Sequence, residues 1–202
     1  MRLRPTIIVT AAGSGSRFGG GVHKLDAEFD GSTVLATTLR NAVQSQLAVV
    51  VVTTAARLPA INQSLALSDI VVLSEAEAAR GMGSSIAIGV AERSGAPGWL
   101  VLPGDMPLIQ PGTLLAVASA LEQHPVAYAQ YRGRRGHPVA FAAELYSELI
   151  QLTGDDGARR VMLRYPAHGQ EVDDRGVLLD VDTPADLETL RKAGAQVKTG
   201  GP

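Results

Sequence analysis

The sequence predicts a three-layer, doubly wound α/β domain with a mostly parallel sheet and a small antiparallel extension. Three observations carry this expectation. Short unbroken apolar runs (Ile7-Ile8-Val9, Val49-Val50-Val51-Val52, Ile70-Val71-Val72-Leu73 and Trp99-Leu100-Val101-Leu102) have the length and β-branched content of strands buried on both faces. Segments with apolar residues at helical spacing lie between them, which is the alternation of βα units. The first run opens directly onto a glycine-rich stretch, Thr10 to Lys24, where open parallel sheets hold ligands.

The elements follow in order. Val34, Leu35, Leu39, Ala42 and Val43 mark an amphipathic helix over about 33–46, followed by a strand at Ala48–Thr53. A weaker helix opened by its proline is expected at Pro59–Leu67, then a strand at Ile70–Leu73. Gly81-Met82-Gly83-Ser84-Ser85 leads into a helix through Val90, with either serine as its cap. After the Trp99 strand, Pro111 starts a helix whose apolar face is Leu114, Leu115, Ala118 and Leu121. The alternation changes beyond residue 125. Val126–Tyr131 and Gly136–Phe141 flank Arg132-Gly133-Arg134-Arg135 as two antiparallel strands joined by a basic turn. Short helices at Glu144–Leu152 and Asp156–Tyr165, a last strand at Gly176–Val181, and a final helix capped by Thr183 with Pro184 in its first turn complete the chain.

Composition narrows the class. The 202 residues suit one domain, and 46% hydrophobic content with only 4% aromatic residues implies a core of Val, Leu, Ile and Ala. Eighteen Lys and Arg against 20 Asp and Glu give a net charge of -2, which argues against nucleic acid as a partner. The absence of cysteine excludes disulfides and thiolate metal sites, and no run approaches the ~18 apolar residues of a membrane span. A cytoplasmic protein is expected.

The glycine stretch is a phosphate-binding loop by composition: glycines admit a ligand close to backbone amides, with Arg17 and Lys24 as flanking cations. Ala11, Ala12, Gly13, Ser14 and Gly15 form its first half. Two common loops are excluded. A dinucleotide fingerprint needs glycine where Phe18 stands and an acid after the second strand, where Thr53-Thr54 stands. An ATPase P-loop needs lysine directly after glycine, whereas Lys24 lies between His23 and Leu25.

Two carboxylates complete the candidate site. Asp105, in Gly104-Asp105-Met106-Pro107, stands at the carboxyl end of a buried strand, where it suits Mg2+ at a phosphate. Asp182 ends the expected last strand, and alternation puts Asp180 on its face. His23 is expected to be a surface residue.

The pattern Ala-Ala-Gly-x-Gly-x-Arg-Phe-Gly followed by Lys resembles the signature of nucleoside-triphosphate transferases. Gly81-Met82-Gly83-Ser84-Ser85, Arg134-Arg135-Gly136-His137-Pro138-Val139, Gly154-Asp155-Asp156-Gly157-Ala158-Arg159 and Asp180-Val181-Asp182-Thr183-Pro184 extend the likeness to about Leu190, and together they resemble the molybdenum cofactor cytidylyltransferases. The resemblance implies a Rossmann-like nucleotidyltransferase fold over residues 1–192, an acceptor-side insertion at about 125–170 and a flexible tail at 193–202. It places Arg17 and Lys24 on the α-phosphate and departing pyrophosphate, Asp105 and Asp182 on Mg2+, Gly81, Met82, Gly83 and Ser84 on the nucleoside, and Arg135, Gly136 and His137 near the phosphate of a molybdopterin acceptor. CTP is the implied nucleotide, because guanylyl relatives read Leu-Ala-Gly-Gly where this chain has Thr10-Ala11-Ala12-Gly13, and the Ala12 methyl narrows the base site. A xanthine-dehydrogenase-type molybdoenzyme is the implied recipient. One departure stands out: Gly20, Gly21, Val22 and His23 make the segment between Gly19 and Lys24 two residues longer than the family pattern. Rival readings are a guanylyltransferase, a transferase acting on a sugar phosphate or methylerythritol phosphate, and a non-catalytic carrier of the finished cofactor.

Overall fold

A computed structural model describes residues 3–16, 18–19, 21–61 and 64–199, with side chains through Gly194. Strand β1 (Thr6–Ala11) lies in the interior of a seven-stranded sheet, third in the order β5-β4-β1-β6-β8-β7-β9. It pairs in parallel with β4 (Val49–Thr54) on one side and β6 (Gly98–Pro103) on the other, and β5 (Ile70–Leu73) lies beyond β4. The two-residue strands β2 (Glu28–Phe29) and β3 (Ser32–Thr33) form a separate small ladder. The chain leaves β1 toward β4 and later returns to β6 on the opposite side. This reversal opens a crevice at the carboxyl ends of β1 and β6.

The doubly apolar strands sort their side chains between two cores, as a period of two requires. Ile7, Val9, Val51, Leu100 and Leu102 face α1 (Val34–Gln44), α5 (Pro111–Ala120) and α8 (Pro184–Thr199). Ile8, Val50, Val52, Trp99 and Val101 face α4 (Met82–Glu92), α6 (Tyr146–Leu149) and α7 (Arg159–Arg164). Each fully buried Leu or Ile contributes about 1.5–3 kcal/mol. Helix α4 sits close on β1: a Cβ at Gly89 would lie 2.5 Å from Ile8 Cγ2.

The antiparallel extension is β7 (Val126–Tyr131) and β8 (Arg134–Ala142), with β8 also antiparallel to β6. The turn is tighter than the basic tetrad suggests. Arg132 and Gly133 alone form it, with φ of 50° and 74°, the left-handed pair of a two-residue hairpin.

Four local expectations are corrected. The helix expected at Pro59–Leu67 shrinks to α2 (Leu58–Ile61), preceded by a 3-10 turn at Ala55–Arg57, with another at Leu67–Asp69. Neither Ser84 nor Ser85 caps α4; both are buried inside its first turns, and Gly81 is the cap residue without a side-chain bond. A strand absent from the sequence reading, β9 (Ala167–Glu171), runs parallel to β7. The expected last strand at Gly176–Val181 does not form; Arg175–Leu178 is a 3-10 turn that leads into irregular chain. The apolar residues there pack inward without a ladder, Val177 and Val181 both being fully buried. A short helix, α3 (Glu75–Ala78), stands before α4, held by a capping box of Ser74 and Glu77. No helix among the described residues is long and apolar enough to cross a membrane.

Candidate active site

A cavity of about 870 Å³ opens at the crevice, lined by Thr10–Ser14 of β1 and the loop after it, Lys24, Leu25, the Gly81 end of α4 and Asp105. Three chain segments build its reactive corner. Beyond β6, the Gly104 amide donates to Thr10 O at 3.0 Å and carries Asp105 back over β1. The Val181 amide donates to Asp105 O at 3.0 Å, which pins the irregular segment bearing Asp180 and Asp182 onto the Asp105 backbone. Thr183 and Asp186 then cap α8 reciprocally: Asp186 Oδ2 accepts from the Thr183 and Asp182 amides, at 2.7 and 3.2 Å, and Thr183 Oγ1 accepts from the Asp186 amide at 3.2 Å. Asp182 is thereby held by both its neighbours.

Lys24 closes the corner. Its Nζ donates to Asp105 Oδ2 at 2.6 Å and to Asp182 Oδ1 at 2.8 Å. Burial pulls the ammonium pKa down, but the charge and hydrogen bonds of Asp105, and then those of Asp182, hold it above the usual lysine range. Carboxylate oxygens of Asp105, Asp180 and Asp182 lie within 4.8 Å of one another. Burial and the charge of Asp105 push the Asp180 carboxyl above its ordinary pKa. Asp180 therefore joins the pair expected from the sequence, although the alternating strand that was to place it beside Asp182 does not exist. The buried Asp105 Oδ1 has no hydrogen-bond partner among the described residues. An all-oxygen set with such an uncommitted oxygen fits a hard divalent cation.

The glycine loop is organised by His23, which the sequence reading left on the surface. The Leu25 amide donates to its Nδ1 at 3.2 Å, so the proton sits on Nε2, which donates to Gly13 O at 3.0 Å. Burial and the charge of Arg57 lower its pKa, favouring this neutral form. Gly15 has φ 61°, and a Cβ there would lie 2.5 Å from His23 Nε2. The imidazole thus ties the start of the loop at Gly13 to its end at Leu25. Arg17 falls outside the described residues.

Of the residues expected at the nucleoside, Gly81 and Met82 line the cavity along with Ala11, Ala12, Gly13 and Ser14. Gly83 and Ser84 do not; Ser85 does, one helical turn further along the same face. Gly15 is likewise turned away from the lining and onto His23. The Gly154-Asp155 motif explains why Gly81 and Gly83 are glycines. The Gly83 amide donates to Gly154 O at 2.8 Å and the Gly154 amide to Arg80 O at 3.0 Å. A Cβ on Gly81, whose φ is 90°, would lie 2.5 Å from Asp155 Oδ1, and one on Gly83 would lie 2.8 Å from the Thr153 backbone. The docking brings Asp155 to the cavity, where Glu75, Thr54 and Arg57 also appear. No recognisable motif surrounds these last three in the sequence.

Arg135, Gly136 and His137 lie on β8, outside that lining. Arg135 stacks over Tyr128, with its guanidinium 4.6 Å from the ring centroid, and reaches the Met162 sulfur. Gly136 is where the segment before α8 crosses β8, since a Cβ would lie 2.2 Å from Val177 O. The His137 Nδ1 is buried without a partner among the described residues. Burial lowers the His137 pKa, opposed by the charge of Asp180.

The model of the MobA-like NTP transferase domain matches residues 7–172. The chain belongs to the MobA-like NTP transferase family. It is 24% identical over 190 residues to the molybdenum cofactor cytidylyltransferase of Escherichia coli K12, covering 94% of this chain and 97% of that one. It is 32% identical over 126 residues to the purine catabolism protein PucB of Bacillus subtilis 168, a match spanning 58% of this transferase and 59% of PucB. A crystal structure of Rv0371c from Mycobacterium tuberculosis H37Rv in complex with manganese superposes with a TM-score of 0.76 at 26% identity, covering 96% of this chain and all of that one. The transferase is a nucleotidyltransferase, and its carboxylate cluster is of a kind that can hold a divalent metal.

Proposed function

We propose that this nucleotidyltransferase transfers CMP from CTP to the terminal phosphate of molybdopterin and releases pyrophosphate. The observation that carries the reading is the meeting, at one edge of the sheet, of the glycine-loop cavity with the Lys24, Asp105 and Asp182 cluster. The similarity to the E. coli cytidylyltransferase over nearly the whole chain supports the substrate pair. Ala12, 5% exposed and in the cavity wall, supports a small base.

An acceptor phosphate oxygen forms the new bond to the α-phosphorus while the α–β bridging bond breaks, and pyrophosphate leaves with the electron pair. A phosphate monoester with a second pKa of about 6 is already ionised at neutral pH, so no general base is needed. Catalysis is positioning and charge neutralisation. Asp105 and Asp182, with Asp180 in reach, would hold Mg2+ or Mn2+, which would supply positive charge to the phosphates. Lys24, already seated between the two carboxylates, and Arg17 supply the protein's own positive charge to the phosphates. His23 holds the loop neck. Arg135, with only an aromatic face and a sulfur as described partners, pairs with the acceptor phosphate, while Gly136 serves packing and His137 lies behind the acid cluster.

Calorimetric titration with CTP, GTP, ATP and UTP in the presence of Mg2+ tests the base. A clear preference for CTP is expected, followed by pyrophosphate release on adding molybdopterin. Preference for GTP would move the assignment to the guanylyl relatives, and binding of none would favour a carrier of finished cofactor.

A further inference from the structure

Arg57 belongs to none of the motifs and to none of the roles above. It ends the 3-10 turn beyond β4, is only 7% exposed, and lines the cavity with Ala11 to Ser14 and Lys24. Its Nη1 donates to Thr54 Oγ1 at 2.8 Å, whereas its buried Nε has no partner among the described residues. Burial pulls the guanidinium below the usual arginine pKa and the charge of Asp26 partly restores it, yet no described carboxylate comes within ion-pair distance. A buried, uncommitted guanidinium donor facing a cavity is costly unless a ligand satisfies it.

The charge balance of the cavity shows which ligand. Lys24 is matched by Asp105 and Asp182, and Glu75 and Asp155 add further negative charge to the lining. A nucleoside triphosphate entering there needs a cation that no carboxylate already holds. Arg57 follows β4, which flanks β1 on the side opposite β6, whereas Asp105 follows β6, so the guanidinium stands across the end of β1 from the Lys24 cluster.

We propose that Arg57 binds the non-transferred phosphates of the nucleotide, those that leave as pyrophosphate. The inference rests on the reading of this cavity as a nucleoside-triphosphate site. The planar fork, already fixed on one side by Thr54, presents Nε to a phosphate oxygen with little rotamer freedom left to lose.

The test is calorimetry of CTP, CMP and tripolyphosphate on wild type, Arg57→Gln and Arg57→Lys, with melting curves for each. Arg57→Gln is expected to weaken CTP and tripolyphosphate about tenfold and leave CMP unchanged. Arg57→Lys, which keeps the charge but not the fork, should lose about threefold on the same two ligands, and it carries the test should the glutamine variant not fold. Equal losses on CMP and CTP would overturn the proposal by placing Arg57 at the nucleoside or α-phosphate. Unchanged tripolyphosphate binding would overturn it as well. Failure of wild type to bind any triphosphate would instead remove the nucleotide reading on which it stands.

Discussion

Among the described residues two large cavities stand out, and the larger is not the one that the glycine loop, Lys24 and Asp105 line. A cavity of about 1080 Å³ lies between the β2–β3 ladder, the chain after Asp105 and α8, while the glycine-loop cavity is about 870 Å³. Their polar groups differ in kind. In the larger one Arg191 donates to Glu188 and to Glu28 O, Asn41 to Pro107 O and Arg40 to Thr37. Asp174 accepts from the Gln110 amide, Thr113 Oγ1 and the Gly176 amide at 2.7–2.9 Å. Three of the four buried side-chain atoms that lack a partner among the described residues, Thr10 Oγ1, Arg57 Nε and Asp105 Oδ1, belong to residues that line the smaller cavity. Since a buried donor or acceptor without a partner costs about 1–3 kcal/mol, such atoms persist where a ligand completes them.

Substitutions in the two cavities should separate along that line. Lys24→Ala is expected to lower pyrophosphate release roughly 10²–10³-fold while circular dichroism stays native; Mg2+ should raise its melting temperature more than that of wild type, because two facing carboxylates then lack their cation. Near-normal turnover would break the comparison. Asp174→Ala, in the larger cavity, should cost about 3 kcal/mol in urea unfolding and leave turnover per folded molecule unchanged, because two buried donors and one at the surface lose their acceptor.

Asp186 links the two regions, since its cap starts α8 and holds the Asp182 amide. Asp186→Ala is expected to cost about 1 kcal/mol. Hydrogen bonds from Thr183 place the folded pKa of Asp186 below its ordinary value of 3.8, so its contribution is present above that value and is lost as pH falls through the lower folded one. Acid unfolding of wild type and variant should therefore converge there, and a constant difference across pH 2–5 would contradict the cap. Arg191→Ala, at the exposed rim of the larger cavity, should change stability by about 0.5 kcal/mol and CTP affinity not at all.

The sequence by itself determined the parallel half of the sheet, the glycine loop, and the presence of Lys24, Asp105 and Asp182 beside it. Each is a local signal: β-branched runs of strand length, glycines at a strand end, and an aspartate between glycine and Met-Pro. The cap of α8 was legible for the same reason, because Thr183 and Asp186 stand three residues apart. Tertiary structure decided the rest. Gly176–Val181 has the apolar content of a strand, but it packs against β7 and β8 and finds no neighbouring ladder; β9 is polar enough to read as loop, yet pairs with β7 because that edge was open. Asp180 reached the acid cluster through the bond between the Val181 amide and Asp105 O, a contact between residues 76 positions apart that no spacing rule contains. His23 and Arg57 acquired their places in the same way. Their side chains are ordinary in sequence, and only the tertiary fold sets His23, half-buried, against the glycine loop and buries Arg57 beyond β4. Local pattern sets which backbone elements form, because propensity and burial act over a few residues. Which polar atoms are left without a partner is set by long-range packing, and in this transferase those atoms distinguish the site.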